Sequence, residues 1–395
     1  MLLEGHNMTQ LKERIITGTH YATGEGIKLS IQNGYIKSIK ERATPSQENM
    51  IISPGLIDIQ INGYMGIDFN DSPLSQTEWG EVIYNLAKVG TMTFYPTIIT
   101  NSREKLAEIF EGNAAVINNN RYVKQFIKGF HLEGPYISEN DGPRGAHSKE
   151  YVREPCWEEF CYLQEKAEGM IKLLTLSPEW SNAEDFIRKV SHSGVKVSIG
   201  HTAATAEQIK SAIEAGAVLS THLGNGAHAT LPRHPNYIWD QLAEKGLWAS
   251  VISDGHHLPV NVLKVIQEIK KSRMILVSDS VALAGMEPGN YWTPVGGDVC
   301  LTKQGRLHLR NHHELLAGSA MNLLQGVNHL TAMKLSNTTE AINRASIYPA
   351  TLMEIPQSEG LCIGNIADLI LLKENKRGWE VSKSFKNGEL IATQS

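Results

Sequence analysis

The sequence predicts an α/β protein: a (β/α)₈ TIM-type barrel with a small β-sandwich domain built from the N- and C-terminal segments. Three observations carry this. Eight short β-rich runs separated by helical patterns fill the middle of the 395-residue chain, which is the texture of parallel βα units. No glycine-rich dinucleotide fingerprint follows the first of those runs, which argues against an open doubly wound sheet. Both chain ends alternate apolar and polar residues around Asn-Gly turns, the strongest short hairpin signal.

In chain order, the small domain begins with RIITG, IKLSIQ, the Asn33-Gly34 turn and YIKSIK, and resumes at the other end with ADLILLK, WEVSKSF, the Asn387-Gly388 turn and ELIA. Residues 1–53 plus 362–395 are therefore assigned to it, and 54–361 to the barrel, with Pro54-Gly55 as the turn between them. The barrel strands are LIDIQI (56–61), TMTFYPT (91–97), IKGFHLE (127–133), IKLLTL (171–176), VKVSIGH (195–201), AVLSTH (217–222), ASVISD (249–254) and MILVSD (274–279). TAEQIKSAIEAG (205–216) shows how the helices are written: Ile209, Ala212 and Ile213 form an apolar stripe, and Gly216 is the stop. Trp157, Trp180, Trp239 and Trp248 lie in or beside helical segments and read as buried rings. Gly142, Pro143 and Gly145 mark a loop after the third strand that is suited to cover a substrate.

Composition narrows the function classes. The chain is 41% hydrophobic and 20% charged, as soluble globular proteins are, and 37 Lys+Arg against 42 Asp+Glu give a formal net charge of −5. That balance offers no broad basic surface for nucleic acid or an acidic membrane, so an anionic substrate would need local positive contacts. No run of 18 apolar residues is present, and the opening MLLEGHNMTQLKER lacks a secretory pattern, which points to the cytoplasm. Four scattered cysteines read as reduced structural residues.

In such a barrel, chemistry sits at the C-terminal ends of the strands. Here strand one ends in Gln60 and Asn62, strand three in His131 and Glu133, strand five in His201 and strand six in His222. Asp254, His256 and His257 follow strand seven, and strand eight ends in Asp279. One histidine at a strand end is unremarkable. Glu, His, His and Asp at four strand ends are not, because one Glu and two His suit a catalytic zinc that keeps a position open for water. Such a metal brings the pKa of bound water from about 15.7 to about 7, and Asp279 is placed to take and return the proton. The residues alone thus point to metal-assisted hydrolysis of an amide, ester or related bond.

The motifs PGLIDIQING (54–63), FHLEGPYI (130–137), RGAH (144–147), GHT (200–202), THLGNG (221–226), SDGHH (253–257), VSDSVALAG (277–285) and LAGSA (316–320) resemble those of the N-acetylglucosamine-6-phosphate deacetylases of the amidohydrolase superfamily. NIADLILL (365–372) resembles the superfamily's closing strand segment. The resemblance implies that Glu133, His201 and His222 are metal ligands, that Asp279 is the general base and acid, and that His147 bonds the acetyl carbonyl or its oxyanion. It assigns the substrate phosphate to Asn225, Gly226 and His257, with Arg233 lent across a homodimer interface, where an arginine makes charge-assisted bonds to phosphate oxygens.

Two departures accompany it. Gln60 and Asn62 stand where many amidohydrolases carry a His-x-His pair; as neutral amides they are poor metal ligands. One divalent ion is therefore expected, zinc first, with Fe²⁺, Mn²⁺ or Co²⁺ as alternatives, and Gln60 and Asn62 are expected to bond the bound water or the substrate. Gly224 and Gly226-Ala227 replace an aromatic and an Ala-Met, and His234 replaces an acidic residue, so the sugar pocket is reshaped. The leading reading is removal of acetate from N-acetylglucosamine 6-phosphate. The alternatives are the galacto epimer or another N-acylated amine, and, more remotely, a non-catalytic scaffold, against which the retained Glu133, His201, His222 and Asp279 argue.

Overall fold

The computed structural model describes residues 13–41 and 50–394; the opening residues on which the reading of a leader partly rests lie outside them. Eight strands, Leu56–Ile61, Thr91–Ile99, Phe130–Glu133, Ile171–Leu176, Lys196–Ile199, Ala217–Ser220, Trp248–Ile252 and Met274–Val277, lie side by side in chain order, every neighbouring pair parallel. The sheet closes on itself: Asp279 N–H donates to the Gln60 carbonyl at 2.9 Å, and Asn62 N–H to the Ser280 carbonyl at 2.8 Å. The predicted (β/α)₈ barrel is present.

Strand side chains alternate in direction, and the two sets find different partners. Ile57, Ile59, Tyr95, Leu173, Leu219, Ile252, Ile275 and Val277 form one cluster with Ala350, Leu352 and Met353, which come from the chain near the helix Ile347–Leu352. Leu56, Phe94, Leu132, Leu174, Val197, Ala217, Val251 and Leu276 join the helices in the main core. His131 belongs to a polar layer inside the barrel: its Nε2 meets Thr175 Oγ1 at 2.7 Å and its Nδ1 meets Thr97 Oγ1 at 3.3 Å, and Thr175 Oγ1 bonds Thr221 Oγ1 at 2.7 Å. Burial lowers His131 to about 4, so it is a neutral structural group.

The sequence logic of the helices holds where it was explicit. Ala206–Ala215 starts at Thr205 with a reciprocal capping box to Gln208 and stops at Gly216, whose φ of 118° no β-carbon-bearing residue adopts readily. The tryptophans correct one expectation. Trp157, Trp180 and Trp248 are half-buried against the core clusters, but Trp239 is 53% exposed on the short helix Tyr237–Ala243. That helix buries Tyr237, Gln241 and Leu242, so its apolar face turns Trp239 outward.

Strands from the two chain ends form a single seven-stranded sheet in the order Glu389–Thr393, Gly378–Lys386, Leu369–Asn375, Met50–Pro54, Arg14–His20, Gly26–Gln32, Tyr35–Glu41. Its two Asn-Gly turns meet, since a β-carbon on Gly34 would stand 3.2 Å from the Asn387 carbonyl oxygen. The sheet thus curls over a core that includes Ile16, Leu29, Ile36, Ile52, Leu371 and Phe385. Lys386, fully buried, ties this sheet to the barrel. Its ammonium donates to the Met92 carbonyl at 2.6 Å, Thr93 Oγ1 at 3.0 Å and Asp368 Oδ2 at 2.8 Å.

The sequence gives little warning of a four-stranded antiparallel sheet after the eighth barrel strand: Gly289–Thr293, Gly297–Leu301, Leu307–Leu309 and His312–Leu316. Its strands are three to five residues long and its apolar core is small, formed by Leu283, Val299, Leu301, Leu307 and Ala320. Runs that short barely establish a period.

Candidate active site

Where the predicted strands five, six and eight were drawn through His201, His222 and Asp279, the observed strands stop two residues earlier, at Ile199, Ser220 and Val277. All three residues take left-handed backbone, with φ of 50°, 30° and 47°. Non-glycine residues rarely adopt that conformation, and when held there they cluster at functional sites. The turn swings each side chain out of the strand's alternation and over the barrel mouth.

There, Glu133 Oε1 lies 3.2 Å from His201 Nε2 and 3.1 Å from His222 Nε2, and the two Nε2 atoms are 3.0 Å apart. All three side chains are buried. His201 Nδ1 is 2.9 Å from the Pro143 carbonyl oxygen, which can only accept, so Nδ1 carries the proton and Nε2 turns its lone pair on Glu133 and His222. His222 Nδ1 is buried without a partner among the described residues. A carboxylate facing the His201 lone pair, with His222 Nε2 on the same point, calls for a cation between them. Ligands about 2.0–2.2 Å from a single tetrahedral zinc stand about 3.3–3.6 Å apart, a few tenths of an ångström more than here, so a small outward shift of the rings admits one. His147 is also close: one of its ring nitrogens lies within 4.8 Å of ligand atoms of Glu133 and His201. Burial would raise Glu133; with a proton rather than a cation in that position His201 and His222 bond it, and these bonds outweigh burial and hold it well below the ordinary carboxylate range.

The other groups are held by partners of their own. Asp279, raised to about 6 by burial and then by the charge of Glu133, accepts from Asn62 Nδ2 at 2.8 Å. Gln60 Nε2 donates to Glu133 Oε1 at 2.9 Å. The two amides expected to face water or substrate therefore engage the carboxylates of the site. His147 Nδ1 pairs with Thr100 Oγ1 at 2.8 Å, and burial, then His201, lowers it to about 3, leaving the ring neutral. His257 Nδ1 pairs with Asp254 Oδ2 at 2.7 Å; burial would raise Asp254, but that bond prevails and brings it to about 2.

The loop after strand three, expected as a cover, is fastened to the site. Pro143 holds His201, Arg144 Nη1 donates to the His147 carbonyl at 2.5 Å, and a β-carbon on Gly142 would stand 2.9 Å from His228 Cα. Gly226 also presses against His201, where a β-carbon would come within 2.7 Å of Nδ1. Asn225 Nδ2 donates back to the His222 carbonyl at 3.1 Å. Arg233 is exposed and makes no ion pair among the described residues, so it is not gathered into the site within one protomer. His228 is engaged by the Tyr237 hydroxyl at 3.0 Å, and His234 is exposed. Thr100 escaped sequence reading although it immediately follows the second strand; inspecting the residue after every strand would have found it.

A family model described as the amidohydrolase family matches residues 51–391. The chain is an amidohydrolase. This amidohydrolase is 31% identical over 342 residues to an N-acetylglucosamine-6-phosphate deacetylase of Bacillus subtilis strain 168, covering 85% of this chain and 83% of the relative. It is 27% identical to an N-acetylgalactosamine-6-phosphate deacetylase of Escherichia coli O157:H7, covering 92% and 94%. The crystal structure of N-acetylglucosamine-6-phosphate deacetylase from Thermotoga maritima superposes with a TM-score of 0.82 at 26% identity, covering 96% of this chain and 100% of that one. No helix among the described residues is long and apolar enough to cross a membrane.

Proposed function

We propose that this amidohydrolase removes the acetyl group from N-acetyl-D-glucosamine 6-phosphate, giving D-glucosamine 6-phosphate and acetate. The observation that carries the reading is the convergence of Glu133, His201 and His222 on one point, with Asp279 held beside them by Asn62. Glu133, His201 and His222 would hold one divalent ion, zinc by preference, with Fe²⁺, Mn²⁺ or Co²⁺ compatible with the same donors. Such an ion, when bound, acidifies water and polarises the acyl carbonyl.

The protein's own groups do the rest. Gln60 orients Glu133 through its donated bond. Asn62 occupies Asp279 Oδ1, leaving Oδ2 to take the proton of the attacking water and pass it to the departing amine nitrogen. His147, with Nδ1 engaged by Thr100, offers Nε2–H to the acetyl oxygen as charge develops there. His257, aligned by Asp254, and Asn225 with Gly226 receive the phosphate. Arg233 serves the neighbouring subunit's site, which makes the working form a homodimer in the cytoplasm. Phosphate binding remote from the amide fixes its position for attack.

A second reading is the galacto epimer as substrate. The altered loop from Gly224 to His234 is what raises it: Gly224 has a φ of 95° and Leu258 Cδ2 stands 3.0 Å from where its β-carbon would be, so that position carries no side chain toward the substrate. Acetate release from metal-quantified protein, offered the gluco phosphate, the galacto phosphate and unphosphorylated N-acetylglucosamine, separates the readings. Preference for the gluco phosphate supports the first and preference for the galacto phosphate the second. Equal rates with and without phosphate overturn the phosphate assignments, and no acetate from any of the three overturns the deacetylase reading.

A further inference from the structure

The loop that carries His147 leaves strand three at Gly134 and ends at Arg153, and both of its feet meet the residues that follow strand two. At the outgoing foot, Gly134 lies so close to Thr100 that a β-carbon there would stand 2.1 Å from Thr100 Oγ1. Thr100 Oγ1 in turn meets His147 Nδ1 at 2.8 Å. At the returning foot, Arg153 N–H donates to the Pro135 carbonyl at 3.2 Å, and Arg153 Nη1 donates to the Asn101 carbonyl at 3.0 Å and the Tyr151 carbonyl at 2.6 Å. Arg153 therefore grips the residue after Gly134 and the residue after Thr100, the two that flank the contact behind His147.

A carboxylate aims the guanidinium. Glu159, buried in the first turn of the helix Trp157–Lys166, accepts Arg153 Nη2 on Oε1 at 2.7 Å and Arg153 Nε on each oxygen at 3.1 Å. Its Oε2 also accepts the hydroxyl of Tyr136 at 3.1 Å, and Tyr136 is itself fully buried, edge-on to Phe186 with ring centroids 5.1 Å apart. A guanidinium is planar with its donors in fixed directions, so holding this carboxylate and two carbonyls together leaves it one orientation. A buried ion pair gives little stability over apolar side chains of the same volume. Stability alone therefore does not account for this one, whereas the placement of its bonds to Asn101 and Pro135 does.

We propose that Arg153, oriented by Glu159, is a positioning residue for the acyl end of the site: it fixes Thr100 and the feet of the 134–153 loop, and through Thr100 it sets the direction of the His147 ring. The proposal rests on the deacetylase reading, in which His147 faces the acetyl oxygen, and adds to it two charged residues that bond none of Glu133, His201 and His222. A displacement of about 1 Å at a reacting group costs up to about 100-fold in rate. Loosening Arg153 leaves the sugar and phosphate contacts in place, so the loss belongs in kcat rather than in KM.

The test is acetate-release kinetics on metal-quantified wild type, Arg153→Lys, Glu159→Gln, Thr100→Val, Thr100→Ser, the Arg153→Lys/Thr100→Val pair and Arg344→Lys, with the denaturant midpoint measured on the same samples. Arg153→Lys keeps a cation for Glu159 but lacks the planar fork, and Glu159→Gln keeps the fork but lacks the charge that aims it. Both are expected to lower kcat about fivefold or more, with KM for N-acetylglucosamine 6-phosphate within about twofold and metal content unchanged. Thr100→Val should do the same, and Thr100→Ser, which keeps the hydroxyl, should restore kcat. Because Arg153 acts through Thr100, the pair should lie within about twofold of the slower single variant and well above the product of the two losses. Arg344 is a comparable arginine at the opposite end of strand eight from Asp279, bonded to the Lys271 and Met274 carbonyls and to Glu340; Arg344→Lys should lower the midpoint and leave kcat unchanged. An unchanged kcat in both Arg153→Lys and Glu159→Gln overturns the proposal, as does a multiplicative loss in the pair, an equal loss in Arg344→Lys, or a loss that disappears when metal is restored. A wild type that releases no acetate overturns the underlying deacetylase reading, and the proposal with it, before any variant is compared.

Discussion

Replacing Asn62 by leucine, which nearly keeps its shape, removes one donor from Asp279 and nothing from the metal-binding trio. Asn62 Nδ2 donates to Asp279 Oδ1 at 2.8 Å inside a buried site. Hydrogen bonds to charged groups are worth about 1.5–3 kcal/mol, and each 1.36 kcal/mol in the barrier is a factor of about ten. If the bond orients the carboxylate as the proton moves, kcat should fall about 10- to 150-fold. KM should hardly change, and metal content should stay at the wild-type value. Gln60→Leu is the counterpart. It takes a 2.9 Å donor from Glu133 and should weaken metal affinity about 10- to 100-fold, the usual effect of losing an outer partner, with kcat returning when metal is supplied in excess. Acetate release at saturating substrate, with elemental analysis of the same samples, reads both. If Asn62→Leu keeps kcat within threefold, or loses metal as Gln60→Leu does, the division of labour between the two amides is wrong.

Two further predictions concern groups away from the chemistry. Lys386→Ala leaves Asp368 buried without its cation and should lower unfolding stability by about 3–5 kcal/mol, read as a fall in the denaturant midpoint; pairing it with Asp368→Leu should recover much of that loss, and no recovery would count against the ion-pair account. Asp58, buried in the first barrel strand, is raised to about 7 by desolvation, although the backbone N–H groups of Gln60 and Ser278 reach its Oδ1. A raised carboxyl favours the folded state below its unfolded pKa, near pH 4, and that contribution is lost as pH climbs toward 7. Asp58→Asn should therefore unfold at an increasingly higher temperature than wild type between pH 5 and pH 8, and a difference independent of pH would show that Asp58 is not held protonated.

The fold was legible where periodicity is long or punctuation is strong. The first and fourth barrel strands occupy the predicted residues 56–61 and 171–176, because each is a six-residue run rich in Ile and Leu and bounded by turns. The helix Ala206–Ala215 was legible because Thr205, Gln208 and Gly216 mark both of its ends. The ends of strands five, six and eight were not. His201, His222 and Asp279 continue a β-like pattern in composition while their backbones turn left-handed, and no alternation of polar and apolar residues encodes a φ of 30–50°. The same limit hid the partners of the site. Gln60, Asn62 and Asp279 were visible as polar residues at strand ends, but which amide meets which carboxylate depends on a barrel closure that brings residue 62 to residue 279, across 217 positions.

Those left-handed backbones have a practical consequence for anyone improving this protein. Each costs on the order of 1–3 kcal/mol that glycine would not incur, so at positions 201, 222 and 279, as at Met65, Glu168, Lys271, Lys334 and Glu354, the folded chain gains from glycine, but only at the first three does it lose its chemistry. A library selected for heat tolerance alone would drift toward glycine at these three sites and collect well-behaved, inert proteins. Selection for longevity has to be gated by turnover from its first round, because three of the strained residues in this barrel are also its machinery.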